Sequence, residues 1–177
     1  MRDFTLFGFF ARMKTGSRCL DLGAGDGRLW NLPVRNKAQV VAIDICESPD
    51  IVPAQVQWIH GDLRRGLAGV LFSEERFDFI MCVNLIQFLP RDCALRTLLP
   101  SLALYARPGC RLVIETFYNQ PHPAFLEPVP SLYRFEELVA ALPGWQIENG
   151  GEYEADDKGY DGQTRHWSVT DLLAVRI

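Results

Sequence analysis

Within one short stretch, Leu20-Asp21-Leu22-Gly23-Ala24-Gly25-Asp26-Gly27, the chain passes from an apolar run into a turn in which every second residue is glycine. Glycines at that spacing strip side chains from one side of the turn, so a ligand can approach the backbone closely. The pattern restricts the chain to folds in which a strand delivers such a loop to a binding edge. It also predicts a short helix over residues 26 to 32, stopped by Pro33. Unpaired N–H groups at the start of that helix suit a carboxylate, while Asp21 offers its negative charge to an ammonium group. A ligand that carries both charges at one end fits the loop.

The competing interpretation is a dinucleotide site. That needs Gly-x-Gly-x-x-Gly, whose third glycine lets helix pack against strand, and here the spacing is Gly-x-Gly-x-Gly. A carboxylate two residues before the first glycine would also repel a pyrophosphate. A bare structural turn with no ligand is the other alternative.

Four further apolar runs follow. Gln39-Val40-Val41-Ala42-Ile43-Asp44 ends in an acid about twenty residues after the glycines, where a second parallel strand would bring a carboxylate to a ribose diol. Val56 to Leu63 ends in Asp62, suited to accept from an adenine amino group. Phe77 to Asn84 and Cys110 to Phe117 complete the set. Strands with polar ends line a crevice at the carboxyl edge of a sheet. Each acid alone also fits a helix cap or turn residue, and Asn84 fits a turn cap. Taken together behind the glycine loop, they provide the contacts that S-adenosylmethionine requires.

On these residues, positions 17 to 177 resemble a class I S-adenosylmethionine-dependent methyltransferase. The second half is similar to the small tellurite-resistance type through Phe77-Asp78-Phe79-Ile80, Phe88-Leu89, Arg107-Pro108-Gly109-Cys110, Tyr133-Arg134-Phe135-Glu136-Glu137-Leu138 and Gly144-Trp145. The resemblance implies that Asp21, Gly23, Ala24, Gly25 and Gly27 lie near the methionine moiety, and Asp44 and Ile45 at ribose and adenine. It implies Asp62 and Leu63 at the adenine edge and Asn84 beside the transferable methyl. The chain departs from that type in three places. Only about sixteen residues precede the first strand, so the N-terminal segment 1–16 is a short or partial lid. Pro49 and Pro53 fall where the family has a helix, and a proline inside a helix costs roughly 3 kcal/mol, so a loop is expected there. The family's His-Arg pair has no match at Tyr153-Glu154-Ala155.

The expected fold is α/β: a doubly wound, mostly parallel seven-stranded sheet of the Rossmann-like methyltransferase kind, forming one domain over residues 1–177. Strands are read at 18 to 23, 39 to 44, 56 to 60, 77 to 83 and 110 to 117. Helices are read at about 63 to 73, from Arg91 to Tyr105 with Leu95, Leu98, Leu99 and Leu102 as its core stripe, and from Phe135 to Leu142. Trp145 to Tyr153 and Trp167 to Ile177 follow without a helix between them, so they pair as an antiparallel C-terminal hairpin. Its loop is read as the acidic stretch Asp156 to Gly162.

The expected chemistry is direct displacement at the sulfonium methyl by a small-molecule nucleophile, governed mainly by alignment. Arg134, Arg165 and His166 are the candidates to contact the acceptor, with Phe88, Phe117, Tyr118 and Tyr133 lining its side. A net charge of −4 and no basic stripe beyond Arg64-Arg65 argue against nucleic acid. No apolar run approaches the roughly 18 residues of a membrane span, and Phe7 to Ala11 lacks the form of a secretory signal, so a cytoplasmic protein is expected. Cys19, Cys46, Cys82, Cys93 and Cys110 contain no Cys-x-x-Cys pair, and His60, His122 and His166 stand singly, so no metal is expected. The oligomeric state stays open. The alternative function is an S-adenosylmethionine-binding partner or regulator whose acceptor site has degenerated. A nucleotide-cofactor oxidoreductase is disfavoured by the glycine spacing.

Overall fold

The computed structural model describes residues 8–119, 131–158 and 164–177. Seven strands, β1 (Arg18–Leu22), β2 (Gln39–Asp44), β3 (Val56–His60), β4 (Phe77–Val83), β5 (Ala106–Phe117), β6 (Trp145–Lys158) and β7 (Thr164–Arg176), form one sheet in the order β3-β2-β1-β4-β5-β7-β6. The first five pair in parallel, and β7 runs antiparallel to both β5 and β6. Strand order reverses on either side of β1, which puts the switch point of the sheet at the carboxyl ends of β1 and β4, where such sheets bind ligands. The glycine loop leaves β1 at that point.

Apolar side chains alternate between two covered faces, which is why the parallel strands read as nearly continuous apolar runs. On one face, Leu20, Leu22, Ile43, Ile80 and Ile114 meet Leu98, Leu99 and Leu102. On the other, Cys19, Val40, Ala42, Phe79, Met81 and Val113 meet Phe9, Phe10, Met13 and Trp30. Phe9 sits edge-on to both Phe10 and Phe79, with centroids 5.2 and 5.3 Å away. Phe9, Phe10 and Met13, from the segment read as a lid, are therefore core residues of this second face. The rest of that segment, residues 1–7, lies outside the described part.

Several expected elements are corrected. The helix expected over 26 to 32 is displaced: residues 24–30 form turns and loop, and α1 spans Asn31–Arg35. Gly25 and Gly27 adopt φ of 54° and 76°, which no helix accommodates. Pro33 lies inside α1, in the first turn, where its missing N–H has no intrahelical partner to lose. The helix expected at 63 to 73 is instead two 3-10 turns, Leu63–Arg65 and Leu67–Gly69, separated by Gly66 at φ 76°. The segment holding Pro49 and Pro53 is a loop, as expected.

The leucine-striped helix α2 is continuous but not uniform. It runs Arg91–Cys93 as α-helix, Ala94–Leu98 as a π-helical turn and Leu99–Tyr105 as α-helix. Pro100 explains the widening, because it cannot bond the carbonyl one turn back and its ring presses on it. β5 begins at Ala106 rather than Cys110 and absorbs Arg107-Pro108-Gly109 in a register shift against β4. After α3 (Phe135–Ala140), the hairpin strands are longer than expected. Asp156, Asp157 and Lys158 belong to β6, in register with His166, Arg165 and Thr164.

Candidate functional site

Gly23, Gly25 and Gly27 all hold left-handed φ values, 71°, 54° and 76°. Their surroundings differ. A Cβ on Gly23 would lie 2.8 Å from the Leu85 side chain and one on Gly27 2.5 Å from the Trp30 ring, whereas nothing lies within 4 Å of that position on Gly25. Packing therefore requires glycine at 23 and 27. Only Gly25 faces open space, so the cradle is narrower than the sequence pattern suggests.

Asp44, at the end of β2, anchors this loop. Its Oδ2 accepts from the Gly25 N–H and its Oδ1 from the Cys46 N–H, both at 2.9 Å. A carboxylate has about four acceptor positions, so both oxygens keep capacity for hydroxyl donors. Ile45 follows with its side chain 53% exposed, an apolar surface beside the carboxylate.

Asp62 caps the 3-10 turn after β3. It accepts from the Arg64 backbone N–H at 3.0 Å and from the Arg64 guanidinium at 2.8 Å, and this arginine holds its pKa down at about 2. The capping role of a strand-end acid is thus present at Asp62, and Leu63 beneath it is buried. Asn84, at the end of β4, has a φ of 54° and donates its backbone N–H to the Glu115 carbonyl at 2.9 Å. Its side-chain oxygen accepts from Gln87 at 3.3 Å, and Gln87 in turn accepts from Thr116 at 3.2 Å. Asn84 Nδ2 reaches Glu115 Oε1 at 3.5 Å. These contacts tie the ends of β4 and β5 into one polar patch.

Asp21 is only 2% exposed, and its Oδ2 accepts from the Trp30 indole N–H at 2.9 Å. Burial pushes its pKa up to about 7; the Trp30 hydrogen bond opposes the rise and nearby Asp44 adds to it. An acid whose folded-state pKa is raised contributes stability below its unfolded pKa, near 4, and loses it as pH rises through about 7. The expected outcome is that the stability of the ligand-free protein relative to an Asp21→Asn variant declines between about pH 4 and pH 7, by a few kcal/mol at roughly 1.4 kcal/mol per pKa unit. Urea unfolding of both proteins across that range measures it; parallel curves would contradict it.

The expected acceptor cations lie farther along the hairpin side. Arg134 pairs with Glu152 at 2.6 Å and its guanidinium stacks over Tyr118 at 5.3 Å. His166 lies between Asp156 at 2.9 Å and Glu154 at 3.0 Å, and its pKa is raised chiefly by the Asp156 hydrogen bond. Arg165 is in β7 in register with Asp157, and its side chain is outside the described part. Phe117 stacks on Trp167 with centroids 5.2 Å apart. Tyr133 is wholly buried, bonding the Ile86 carbonyl at 3.1 Å, and is therefore a core tie. Among the described residues, no three His, Cys, Asp or Glu side chains gather as metal ligands, and no helix is long and apolar enough to cross a membrane.

With this geometry established, comparison with known proteins decides the family: the methyltransferase-domain family model matches residues 1–167. The chain belongs to the methyltransferase-domain family. It is 31% identical over 138 residues to the ubiquinone biosynthesis O-methyltransferase of Xylella fastidiosa strain 9a5c, covering 73% of this chain and 52% of that protein. The methyltransferase domain thus spans about half the length of this curated relative. Among solved structures it is similar to TehB from Haemophilus influenzae, with a TM-score of 0.73, 17% identity and coverage of 100% of this chain and 63% of that one. It is also similar to the Burkholderia thailandensis 1,6-didemethyltoxoflavin-N1-methyltransferase with bound S-adenosylhomocysteine, at a TM-score of 0.71, 19% identity and coverage of 98% and 77%. At those identities the two structures share the fold, including the Rossmann-like sheet with its antiparallel end.

The residues expected to hold the cofactor lie along the carboxyl edge of the parallel strands. Asp21, Ala24, Gly25 and Asp44 lie at the ends of β1 and β2, with Asp62 at the end of β3 and Asn84 at the end of β4. Two residues escaped the sequence reading. Trp30 stands in no motif, and its distance of three residues from Gly27 is the available signal. Gln87 stands in no motif either, yet it is 2% exposed and bridges Asn84 to Thr116.

Proposed function

We propose that this methyltransferase domain transfers the methyl group of S-adenosylmethionine to a hydroxyl oxygen of a small aromatic acceptor. The observation that carries the cofactor half is Gly25, open above the backbone and fastened to Asp44, with the buried carboxylate of Asp21 behind it. These groups fit the cofactor's three polar parts: Asp44 the ribose hydroxyls, Asp21 the ammonium, and the bare loop backbone the amino-acid chain. Ile45 and Leu63 flank adenine, with Asp62 at its edge. When bound, S-adenosylmethionine supplies an electrophilic methyl carbon on a sulfonium.

The acceptor half rests on the name of the curated relative and on the groups at the ends of β4, β5 and β7. Asn84 orients the acceptor oxygen, and Glu115 takes its proton; the hydrogen bond joining these two side chains supports the pairing. Phe117 and Trp167 offer an aromatic face to a flat acceptor. Arg134 and His166 border this side as acceptor contacts, and Arg165 precedes His166 in β7. Because Glu152, Glu154 and Asp156 already neutralise Arg134 and His166, a neutral phenol fits better than a free anion.

The test is a mass-spectrometric screen of catechols, simple phenols, thiols and small carboxylates with saturating S-adenosylmethionine. Methylated phenol or catechol is expected, with Glu115→Gln slowing turnover while S-adenosylhomocysteine affinity stays unchanged. Turnover of thiols alone would overturn the acceptor assignment. Tight cofactor binding with no product from any class would favour the binding-protein alternative.

A further inference from the structure

Trp30 lies four positions after Asp26, outside the glycine loop, yet its ring fills the space above Gly27 and its indole N–H points into the sheet. The ring is 4% exposed and meets Trp58 of β3 edge-on at 6.0 Å, so its position is fixed from two sides. It donates to Oδ2 of Asp21 and, among the described residues, no donor reaches Oδ1. A buried carboxylate with one oxygen held and one oxygen open is arranged to receive a cation.

We propose that Trp30 is a positioning residue for the cofactor's amino-acid end: its indole N–H holds one oxygen of the buried Asp21 carboxylate, whose other oxygen binds the ammonium group. The proposal rests on the S-adenosylmethionine assignment above and adds to it a residue of this chain. Without the indole N–H, burial and the neighbouring negative charge act on Asp21 unopposed, so the carboxylate takes up a proton more readily and loses its attraction for an ammonium. The titratable groups around Asp21 are few. Asp44 on β2 is the acid that couples to it, while the thiols of Cys19 on β1 and Cys82 on β4 are pushed well up and stay neutral. Glu115 on β5 shares the same face of the sheet, beyond Met81 and Val83 of β4.

Two probes separate this role from simple packing. S-adenosylhomocysteine carries the ammonium, whereas 5′-methylthioadenosine has the same nucleoside and thioether without the amino-acid end. Calorimetric titration of the full chain from about pH 5.5 to 6.7, below the α-amino pKa of about 7.7 to 8.0, should show S-adenosylhomocysteine affinity rising with pH and methylthioadenosine affinity flat. Trp30→Phe should weaken S-adenosylhomocysteine about tenfold at neutral pH, the scale of one charge-assisted contact, and shift its pH profile upward, leaving methylthioadenosine within about twofold. If Trp30→Phe does not fold, replacement of Trp30 by β-(3-benzothienyl)alanine keeps the ring shape and removes only the N–H, with the same expected result. Equal weakening of both probes, or no change in either, would overturn the positioning role. Failure of the natural chain to bind either probe would instead overturn the cofactor assignment.

Discussion

Asp44→Ala should weaken S-adenosylhomocysteine binding by about 1.5 to 3 kcal/mol, the range for hydrogen bonds to a charged group, or roughly one to two decades. The loss has two sources that a second variant separates. Asp44 is the proposed ribose acceptor, and it also holds the Gly25 and Cys46 backbone N–H groups at 2.9 Å. Asp44→Asn retains one acceptor oxygen, so it can keep the Gly25 anchor while losing the charge. An intermediate loss for Asp44→Asn is expected if charge and anchoring both count, and a loss equal to that of alanine if charge dominates. The fold should survive both changes, because the side chain sits at the carboxyl end of β2 and not in either core cluster. Calorimetry giving an unchanged affinity for Asp44→Ala would refute the ribose role.

The parallel half of the sheet was legible because each buried strand must be apolar along its length. Val40 to Ile43 and Phe79 to Cys82 could hardly be anything else, and the acids that follow such runs fall at the carboxyl edge by construction. Errors arose where glycine and proline set local geometry. The residues after Gly23 read as a helix by spacing, but positive φ at Gly25 and Gly27 delays α1 to Asn31. Pro100 widens α2 without ending it, since packing of Leu98, Leu99 and Leu102 outweighs one lost backbone bond. Asp156 read as loop because it is charged, although β6 is an edge strand whose polar residues can stand in solvent while the backbone still pairs. The ion pairs of His166 depend on the β6 to β7 register and that of Arg134 on how the start of α3 meets β6, neither of which a local pattern encodes. The Trp30 to Asp21 bond was hidden for a related reason, since the glycine-rich turn between them had to fold back before the two side chains met.

That fold-back makes Gly27 the glycine of this loop whose replacement should cost the most stability. Alanine at position 27 meets two penalties: a left-handed φ of 76°, at roughly 1 to 2 kcal/mol for an L residue, and a methyl group 2.5 Å from the Trp30 ring, at about 1 to 3 kcal/mol for overpacking. A total loss of about 2 to 5 kcal/mol is expected in urea unfolding. The displaced indole would also release Asp21, so S-adenosylhomocysteine affinity should fall together with stability. Gly25→Ala provides the contrast, because its new methyl would enter open space and only the backbone penalty of about 1 to 2 kcal/mol applies. Its stability should fall less, while its affinity falls because the methyl occupies the cradle proposed for the cofactor. Paired unfolding and titration curves distinguish the two positions. If Gly27→Ala proved as stable as Gly25→Ala, the Trp30 ring would not be the constraint that demands glycine there. If Gly25→Ala bound the cofactor as tightly as the natural chain, the open side of the loop would not be the binding surface.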